Sequence, residues 1–205
     1  EQKIKLDSVK QTVIGGSAVP YSMIKQFDEE HDVNVVQGWG MTETSPLATA
    51  NLRTKEMEAM PKEEMYKLQT KQGKPVYGVE LKIVDDDGKR LPEDGKSIGN
   101  LYIRGNTIAG GYYNNEEASK AAIDDEGYFG TGDVASIDEQ GFLRLTDRAK
   151  DLIKSGGEWI SSLELEEIVR NHEKIHDAAV IGVEHKKWNE RPLVVAEAVK
   201  GANPK

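Results

Sequence analysis

The sequence predicts an α/β fold that passes into α+β, and three observations carry that expectation. A short apolar run ends in a glycine pair and is followed by a helical stretch and a second apolar run, the pattern of a strand–helix–strand unit. From about residue 76 the pattern changes to short alternating strands joined by Asp/Gly turns. After Asp147 a capped, amphipathic helix precedes two further apolar runs.

Taken in order, Thr12-Val13-Ile14 before Gly15-Gly16 reads as a strand entering a tight turn. Pro20 opens a helix to about His31 with Met23, Ile24 and Phe27 on one face. Val33 to Val36 is a second strand, and GWGMTE (38–43) follows it as a glycine-rich loop. Such loops, at strand ends of an α/β unit, are where ligands bind. Residues 55–70 are charged and read as helix or irregular chain. Asp87-Gly88 and Gln140-Gly141 are hairpin signals inside a small antiparallel β section spanning about 76–147. Ser161 with Glu164 three residues on fits a capping box, and Leu165, Ile168, Val169 and His172 follow at helical spacing. AAVIGV and LVVAEAV read as two buried strands, and the domain division falls near 148–150.

Composition narrows the function classes. The 205 residues suit one large domain or two small ones, and 36 Asp+Glu against 27 Lys+Arg give a formal charge of −9. Binding a nucleic-acid backbone rests on a basic surface, so no nucleic-acid partner is expected. The absence of cysteine rules out disulfides, thiolate metal sites and a cysteine nucleophile. It fits a reducing compartment, so a cytoplasmic protein is expected, with peripheral membrane attachment left open. No apolar run reaches the roughly 18 residues of a spanning helix, and the N-terminus does not resemble a signal peptide. The chain opens on Glu1 rather than Met, so a piece of something longer is expected.

Three segments can carry chemistry. In GWGMTE, Gly38 and Gly40 let a ligand approach the backbone, and Trp39 can offer its face to a heterocycle or fill a core. Thr42 offers a hydroxyl to a phosphate oxygen, and Glu43 a hard oxygen of the kind Mg²⁺ takes when it also holds phosphates. The alternative is a buried aromatic in a glycine-rich loop with a capping threonine. In GTGD (130–133), Asp133 suits a grip on vicinal hydroxyls; the alternative is an Asp in a turn. Arg148, Lys150 and Lys154 precede Gly156-Gly157, as at a charged joint beside a moving lid, or simply as a solvated charged strand.

The order and spacing of these segments resemble the acyl- and aryl-CoA synthetases of the adenylate-forming (AMP-binding) superfamily, from about residue 10 to 200. GWGMTETSP is similar to that superfamily's aromatic-Gly-x-Thr-Glu motif. GKPVYGVELKIVD, LYIRG and GGYYNNEEAS are similar to its intervening stretches, although Gly99-Asn100 stands where Gly-Glu is usual. GYFGTGDVASIDEQGFLRLTDRAKDLIKSGGEWISSLELE is similar to its ribose-binding and hinge motifs, and SGGEWISSLELE with HKKWNERPL leans toward the medium- and long-chain fatty-acyl-CoA ligases and their relatives acting on short substituted carboxylates.

The resemblance implies residues 1–149 as the C-terminal portion of the large N-terminal adenylation domain and 150–205 as a partial, mobile α+β C-terminal domain. It implies ATP, Mg²⁺ and coenzyme A as co-substrates and cofactor, with a small-molecule carboxylic acid as partner substrate. Oligomeric state stays open, a dimer included. Gly15, Gly16 and Ser17 would line the adenine pocket, Trp39 would stack on adenine, and Gly40 would border the acyl tunnel. Thr42 would contact the ATP phosphates and Glu43 would hold Mg²⁺. Asp133 would bind the ribose hydroxyls, so that Trp39 and Asp133 grip one adenosine, with Arg148 near the ribose and phosphates. Lys150 would be the domain hinge, Gly157 would flank the pantetheine channel, and Lys154 would assist thioester formation. The chemistry implied is acyl-AMP formation followed by transfer to coenzyme A. The family's phosphate loop and its C-terminal lysine are not in this chain, which is therefore expected to be an inactive central-to-C-terminal fragment of a ligase.

Two other readings remain open. The fragment could be a nucleotide-binding or interaction module without turnover. HEKIH at 172–176 is formally H-E-x-x-H, a zinc-hydrolase signature that needs both histidines on one continuous helix. The helix from Ser161 is expected to end near His172, and position 182, where a third ligand could stand, is Gly182.

Overall fold

The computed structural model describes residues 6–149, 151–156 and 158–202, without the side chain of Glu158. The chain divides into two compact units: residues 1–131 with 135–145, and residues 132–134 with 146–205.

The first unit opens with the expected strand–helix–strand. Strand β1 (Gln11–Ile14), helix α1 (Tyr21–His31) and strand β2 (Asn34–Trp39) form a parallel pair with a helical crossover, Gln11 standing opposite Asn34 and Ile14 opposite Gln37. The chain leaves α1 through Asp32 in the left-handed region (φ 55°), with its N–H on the Asp28 carbonyl. β2 runs further than the sequence suggested. Gly38 and Trp39 are strand residues, because they pair antiparallel with β3 (Thr49–Ala50), which pairs in turn with β4 (Lys74–Pro75). Between β3 and β4 lie two short helices, α2 (Lys55–Glu58), capped by the Thr54 hydroxyl, and α3 (Lys62–Gln69).

The second sheet has the order β5 (Val79–Val84), β6 (Gly99–Gly105), β7 (Phe129–Ile137), β8 (Leu143–Arg148). Gln140-Gly141 is the turn joining β7 to β8, where the Asp138 carboxylate accepts the Gln140 and Phe142 N–H groups. Asp87-Gly88 also turns the chain, but it closes on a lone bridge between Val84 and Arg90, and residues 91–98 pass before β6 begins at Gly99. Helix α4 (Glu116–Ala122) was not expected. Its signal is local: Asn115 caps it, accepting from Ala118 N–H at 3.1 Å, and two glutamates fill its first turn. Lys82 of β5 is sealed in this unit, its side chain 3% exposed. Its ammonium lies 2.6 Å from Asp124, 2.9 Å from Glu126 and 4.4 Å above the Tyr128 ring.

The core of this unit has two centres. Trp39, Ala48, Val79, Leu81, Ile83, Leu101, Ile103, Phe129, Ala135, Ile137 and Leu143 form one; Val19, Ile24, Val35, Met57, Met65, Tyr66 and Phe142 form the other. Beside the second sits Asp28, only 9% exposed, with Arg53 at 2.8 Å, Lys62 at 2.9 Å and the Tyr66 hydroxyl at 2.7 Å. Burial by itself would raise the Asp28 carboxyl, but these three donors outweigh it and hold it at about 2.

The second unit contains β9 (Ile153–Ser155), β10 (Glu158–Ile160), α5 (Ser162–Arg170), β11 (Ile175–His185) and β12 (Asn189–Ala198), in a sheet of order β10-β9-β12-β11. The Ser161 hydroxyl caps α5, accepting from Glu164 N–H at 3.2 Å, while buried Asp147 accepts both the N–H and the hydroxyl of Ser162. The expected strands are present but not buried. Ala178 and Val180 are covered, whereas Ile181, Leu193, Val194 and Val195 are 44–58% exposed. The reason is coverage. α5 is the helix packed on this hairpin, and it contacts β11 far more than β12. Ile168, expected on the inner face of α5, is 67% exposed for the same reason. Among the described residues no helix is long and apolar enough to cross a membrane.

Because the Asp28 carboxyl titrates below its ordinary value of 3.8, its contribution to stability is complete above that pH and is lost as the pH falls towards 2. Asp28→Asn is expected to cost about 2 kcal/mol at neutral pH, a difference that closes between about pH 4 and pH 2. Urea denaturation of both proteins across that range measures it.

Candidate functional site

Parallel pairing at matched register makes β1 and β2 leave their sheet at the same end. The two glycine-rich segments therefore meet: a Cβ on Gly15 would lie 3.2 Å from the Gly38 carbonyl oxygen. Gly16 (φ +85°) and exposed Ser17 continue outward from there. The structure thus brings Gly15 and Gly16 beside the Gly38–Gly40 segment, at the carboxyl ends of the strands. Trp39 is 9% exposed, its ring built into the core with Ala48, Leu81 and Phe129, so most of the indole serves packing. Gln37 is 2% exposed, and its amide oxygen has no hydrogen-bond partner among the described residues.

Beyond Trp39 the chain folds into a tight turn. A Cβ on Gly40 would stand 1.8 Å from the Pro46 carbonyl oxygen, so only glycine fits. The buried Thr44 hydroxyl closes the turn: it accepts the Met41 N–H at 2.9 Å and contacts the carbonyls of Met41 and Pro46. Thr42–Thr44 form one 3₁₀ turn, and Ser45-Pro46 is cis. This scaffold displays the exposed Thr42 beside the half-buried Glu43. The Glu43 carbonyl accepts the Ala109 N–H at 2.7 Å, and its carboxylate accepts the Tyr112 hydroxyl at 2.9 Å. The bond to Glu43, then burial, raise the Tyr112 phenol above its ordinary value. Tyr112 lies in the GGYYNN stretch. Sequence reasoning assigned it no role, because nothing local says which of two adjacent tyrosines turns back 69 residues to Glu43.

In the second unit, β7 carries Asp133 and β8 ends at Arg148. The Asp133 side chain is 16% exposed, that of Arg148 69%, and Arg148 Nε is 3.9 Å from Asp133 Oδ1. The Ala149 N–H on the Gly132 carbonyl, at 2.9 Å, ties the two segments together. Lys154 of β9 holds its ammonium 4.6 Å over the Trp159 ring, and its N–H donates to Glu190 Oε2 at 2.8 Å. Next to it, the Gly156 N–H donates to the Trp188 carbonyl, and the Trp188 ring lies where a Gly156 side chain would be. Lys150 and Gly157 lie outside the described residues.

The H-E-x-x-H reading fails on geometry. α5 ends at Arg170 with Asn171 as its cap, His172 sits in the following turn with Nδ1 accepting the Lys174 N–H, and His176 is on β11. Two histidines on separate elements do not present one metal-binding face. Among the described residues no three His, Cys, Asp or Glu side chains gather into a metal-holding group. The lone Glu43 carboxylate beside a hydroxyl instead fits Mg²⁺ held chiefly by substrate phosphates and water, which needs only one or two protein carboxylates.

The family described as "AMP-binding enzyme" matches residues 1–113. The chain is 50% identical to a 3-methylmercaptopropionyl-CoA ligase of Ruegeria lacuscaerulensis over 98% of its own length and 36% of that protein's. It is also 50% identical to a medium-chain-fatty-acid–CoA ligase of Ectopseudomonas oleovorans, over 97% of the chain and 36% of the relative. Among solved structures, o-succinylbenzoate CoA synthetase from Bacillus subtilis, in complex with its acyl-adenylate intermediate, superposes with a TM-score of 0.81 at 31% identity, covering 96% of this chain and 38% of that one. The chain thus spans about a third of the length of the curated relatives it matches.

The turn gives a direct stability test. Gly40→Ala is expected to cost roughly 1–3 kcal/mol, because a backbone carbonyl must move. Gly38→Ala, whose Cβ meets the movable end of the exposed Leu47 side chain at 3.0 Å and stands at ordinary contact distance, 3.6 Å, from the Thr49 carbonyl oxygen, is expected to stay within about 0.5 kcal/mol. Urea midpoints for the two variants, compared with the parent, separate them.

Proposed function

The chain belongs to the AMP-binding enzyme family, and from that premise we propose that it forms part of an ATP-dependent carboxylate–CoA ligase acting on an aliphatic, fatty-acid-like carboxylic acid. The observation that carries this reading is the Thr42–Glu43 pair, displayed on a turn of fixed shape at the carboxyl ends of two parallel strands. The names of the relatives support the acid–CoA chemistry and the aliphatic class.

In the first step a carboxylate oxygen attacks the α-phosphorus of ATP, the α–β phosphoanhydride bond breaks, and pyrophosphate leaves with the electron pair. In the second, the coenzyme A thiol gives up its proton, the thiolate attacks the acyl carbon of the mixed anhydride, the bond from that carbon to the phosphate oxygen breaks, and AMP departs with the electron pair, leaving a thioester. Neither step needs a covalent enzyme nucleophile; both depend on alignment and on stabilising charge at phosphorus. Bound Mg²⁺ would supply positive charge to the phosphate oxygens. The roles proposed for this chain follow. Glu43 holds the metal, and Thr42 donates its hydroxyl to a phosphate oxygen. Gly15, Gly16 and Ser17 border the base with an edge of Trp39, and Gly40 borders the acyl group. Asp133 accepts from the ribose hydroxyls, and its carboxylate keeps the Arg148 guanidinium close by. Lys154 and Gly157 serve the thioester step, with a division at 149/150 and Lys150 as hinge.

The test is AMP release by the full-length protein with carboxylic acids of increasing chain length. Release that requires ATP, Mg²⁺, an aliphatic acid and coenzyme A is expected. Glu43→Gln is expected to lower kcat roughly a hundredfold or more, and Asp133→Asn to raise KM for ATP about tenfold. The 205-residue chain alone is expected to give no pyrophosphate exchange. Nucleotide binding by the full-length protein without acid-dependent AMP release overturns the ligase reading in favour of a binding module.

A further inference from the structure

The residues around Glu43 show more than its exposure. One loop holds this glutamate at two points: the Ala109 N–H on its main-chain carbonyl at 2.7 Å, and the Tyr112 hydroxyl on carboxylate Oε1 at 2.9 Å. The loop itself is braced. The Tyr112 N–H donates to Ser119 Oγ at 2.7 Å, and the Tyr112 carbonyl accepts the Asn115 N–H at 3.2 Å. The Tyr112 ring lies against Phe129, centroids 6.3 Å apart at 60°. Asn115 in turn caps α4. The phenol is therefore a donor at a fixed place, set by a helix cap and an aromatic contact.

Fixing matters because a partly exposed glutamate has three rotatable bonds and loses rotamer freedom when it must adopt one pose. A donor already on Oε1 meets part of that cost before any cation arrives. The donor is neutral, so it orients the carboxylate without cancelling its charge, as a lysine or arginine would. The fold does not require this bond. Tyr112 is 41% exposed, and water could satisfy its hydroxyl equally well.

Resting on the reading of Glu43 as the metal-holding carboxylate, we propose that Tyr112 is a positioning residue: its hydroxyl fixes the Glu43 side chain so that Oε2 meets the cation carried in with the ATP phosphates. Thr42 then needs no separate alignment, since both residues share one 3₁₀ turn.

The experiment uses the full-length protein and Mn²⁺ as a spectroscopic stand-in for Mg²⁺. Binding of Mn²⁺·ATP is followed by water-proton relaxation with no carboxylic acid present, so nothing turns over. Tyr112→Phe, which removes only the hydroxyl, is expected to weaken that binding about fivefold while affinity for metal-free ATP and the melting temperature hold. Glu43→Gln is expected to weaken Mn²⁺·ATP binding further, and the double variant to be no weaker than Glu43→Gln alone, because the hydroxyl acts only through the carboxylate. Normal binding by Tyr112→Phe, with Glu43→Gln impaired, overturns the positioning role and leaves the metal assignment standing. Additive losses in the double variant overturn it too, as does a drop in metal-free ATP affinity equal to the loss for Mn²⁺·ATP. Normal binding by Glu43→Gln removes the metal assignment itself, and the proposal with it. If Tyr112→Phe lowers the melting temperature, the double-variant comparison still decides.

Discussion

Parallel pairing at matched register between β1 and β2 sets the terms for the first unit. A parallel pair joined through a helix sends both strands out at one end of the sheet, so Ile14 opposite Gln37 obliges the two glycine-rich segments to share one space. The short β3 then claims Gly38 and Trp39 for the sheet and pulls the indole into the core. With Trp39 anchored, the next residues have little room, and the turn closes with Gly40 packed onto the Pro46 carbonyl. The pose of Thr42 and Glu43 follows from this sequence of constraints. A shift of one residue in the pairing would send the alternate side chains of β2 to the other face.

Electrostatics divides the acidic residues of this chain into two kinds. Asp28 is consumed: two cations and a phenol surround it, and its charge holds α1, α3 and the β3–α2 connection together. Glu43 is instead presented. Its contacts are a main-chain N–H and a neutral hydroxyl, which shape it and leave its charge intact. Asp133 is intermediate, with Arg148 at 3.9 Å, close enough to hold a guanidinium nearby and too far for a bidentate pair.

The parts of the fold legible in the sequence are those whose causes are local. The β1–α1–β2 unit, the Gln140-Gly141 turn and the Ser161 cap each follow from residues a few positions apart. Features depending on distant partners were not legible. Trp39 reads as a loop residue until β3 is known to pair with it, and Asp87-Gly88 reads as a hairpin although its turn closes on Arg90. The exposure of Leu193, Val194 and Val195 has the same origin, since alternation and apolarity record what a strand could bury and not what covers it. At the candidate site, Thr42 and Glu43 were visible as chemistry, but Tyr112 was not, because its role rests on a contact between segments that the sequence does not join.

Lys82 has a consequence of a different sort. Its amine is almost wholly enclosed, and although enclosure alone would ease loss of the proton, Asp124 and Glu126 hold it above the ordinary lysine range. A protonated, enclosed amine is a poor nucleophile, so acylating reagents will label the surface lysines and spare this one until β5 parts from its neighbours. The chain thus carries an internal chemical clock for the opening of its second sheet, readable by mass spectrometry on a single peptide.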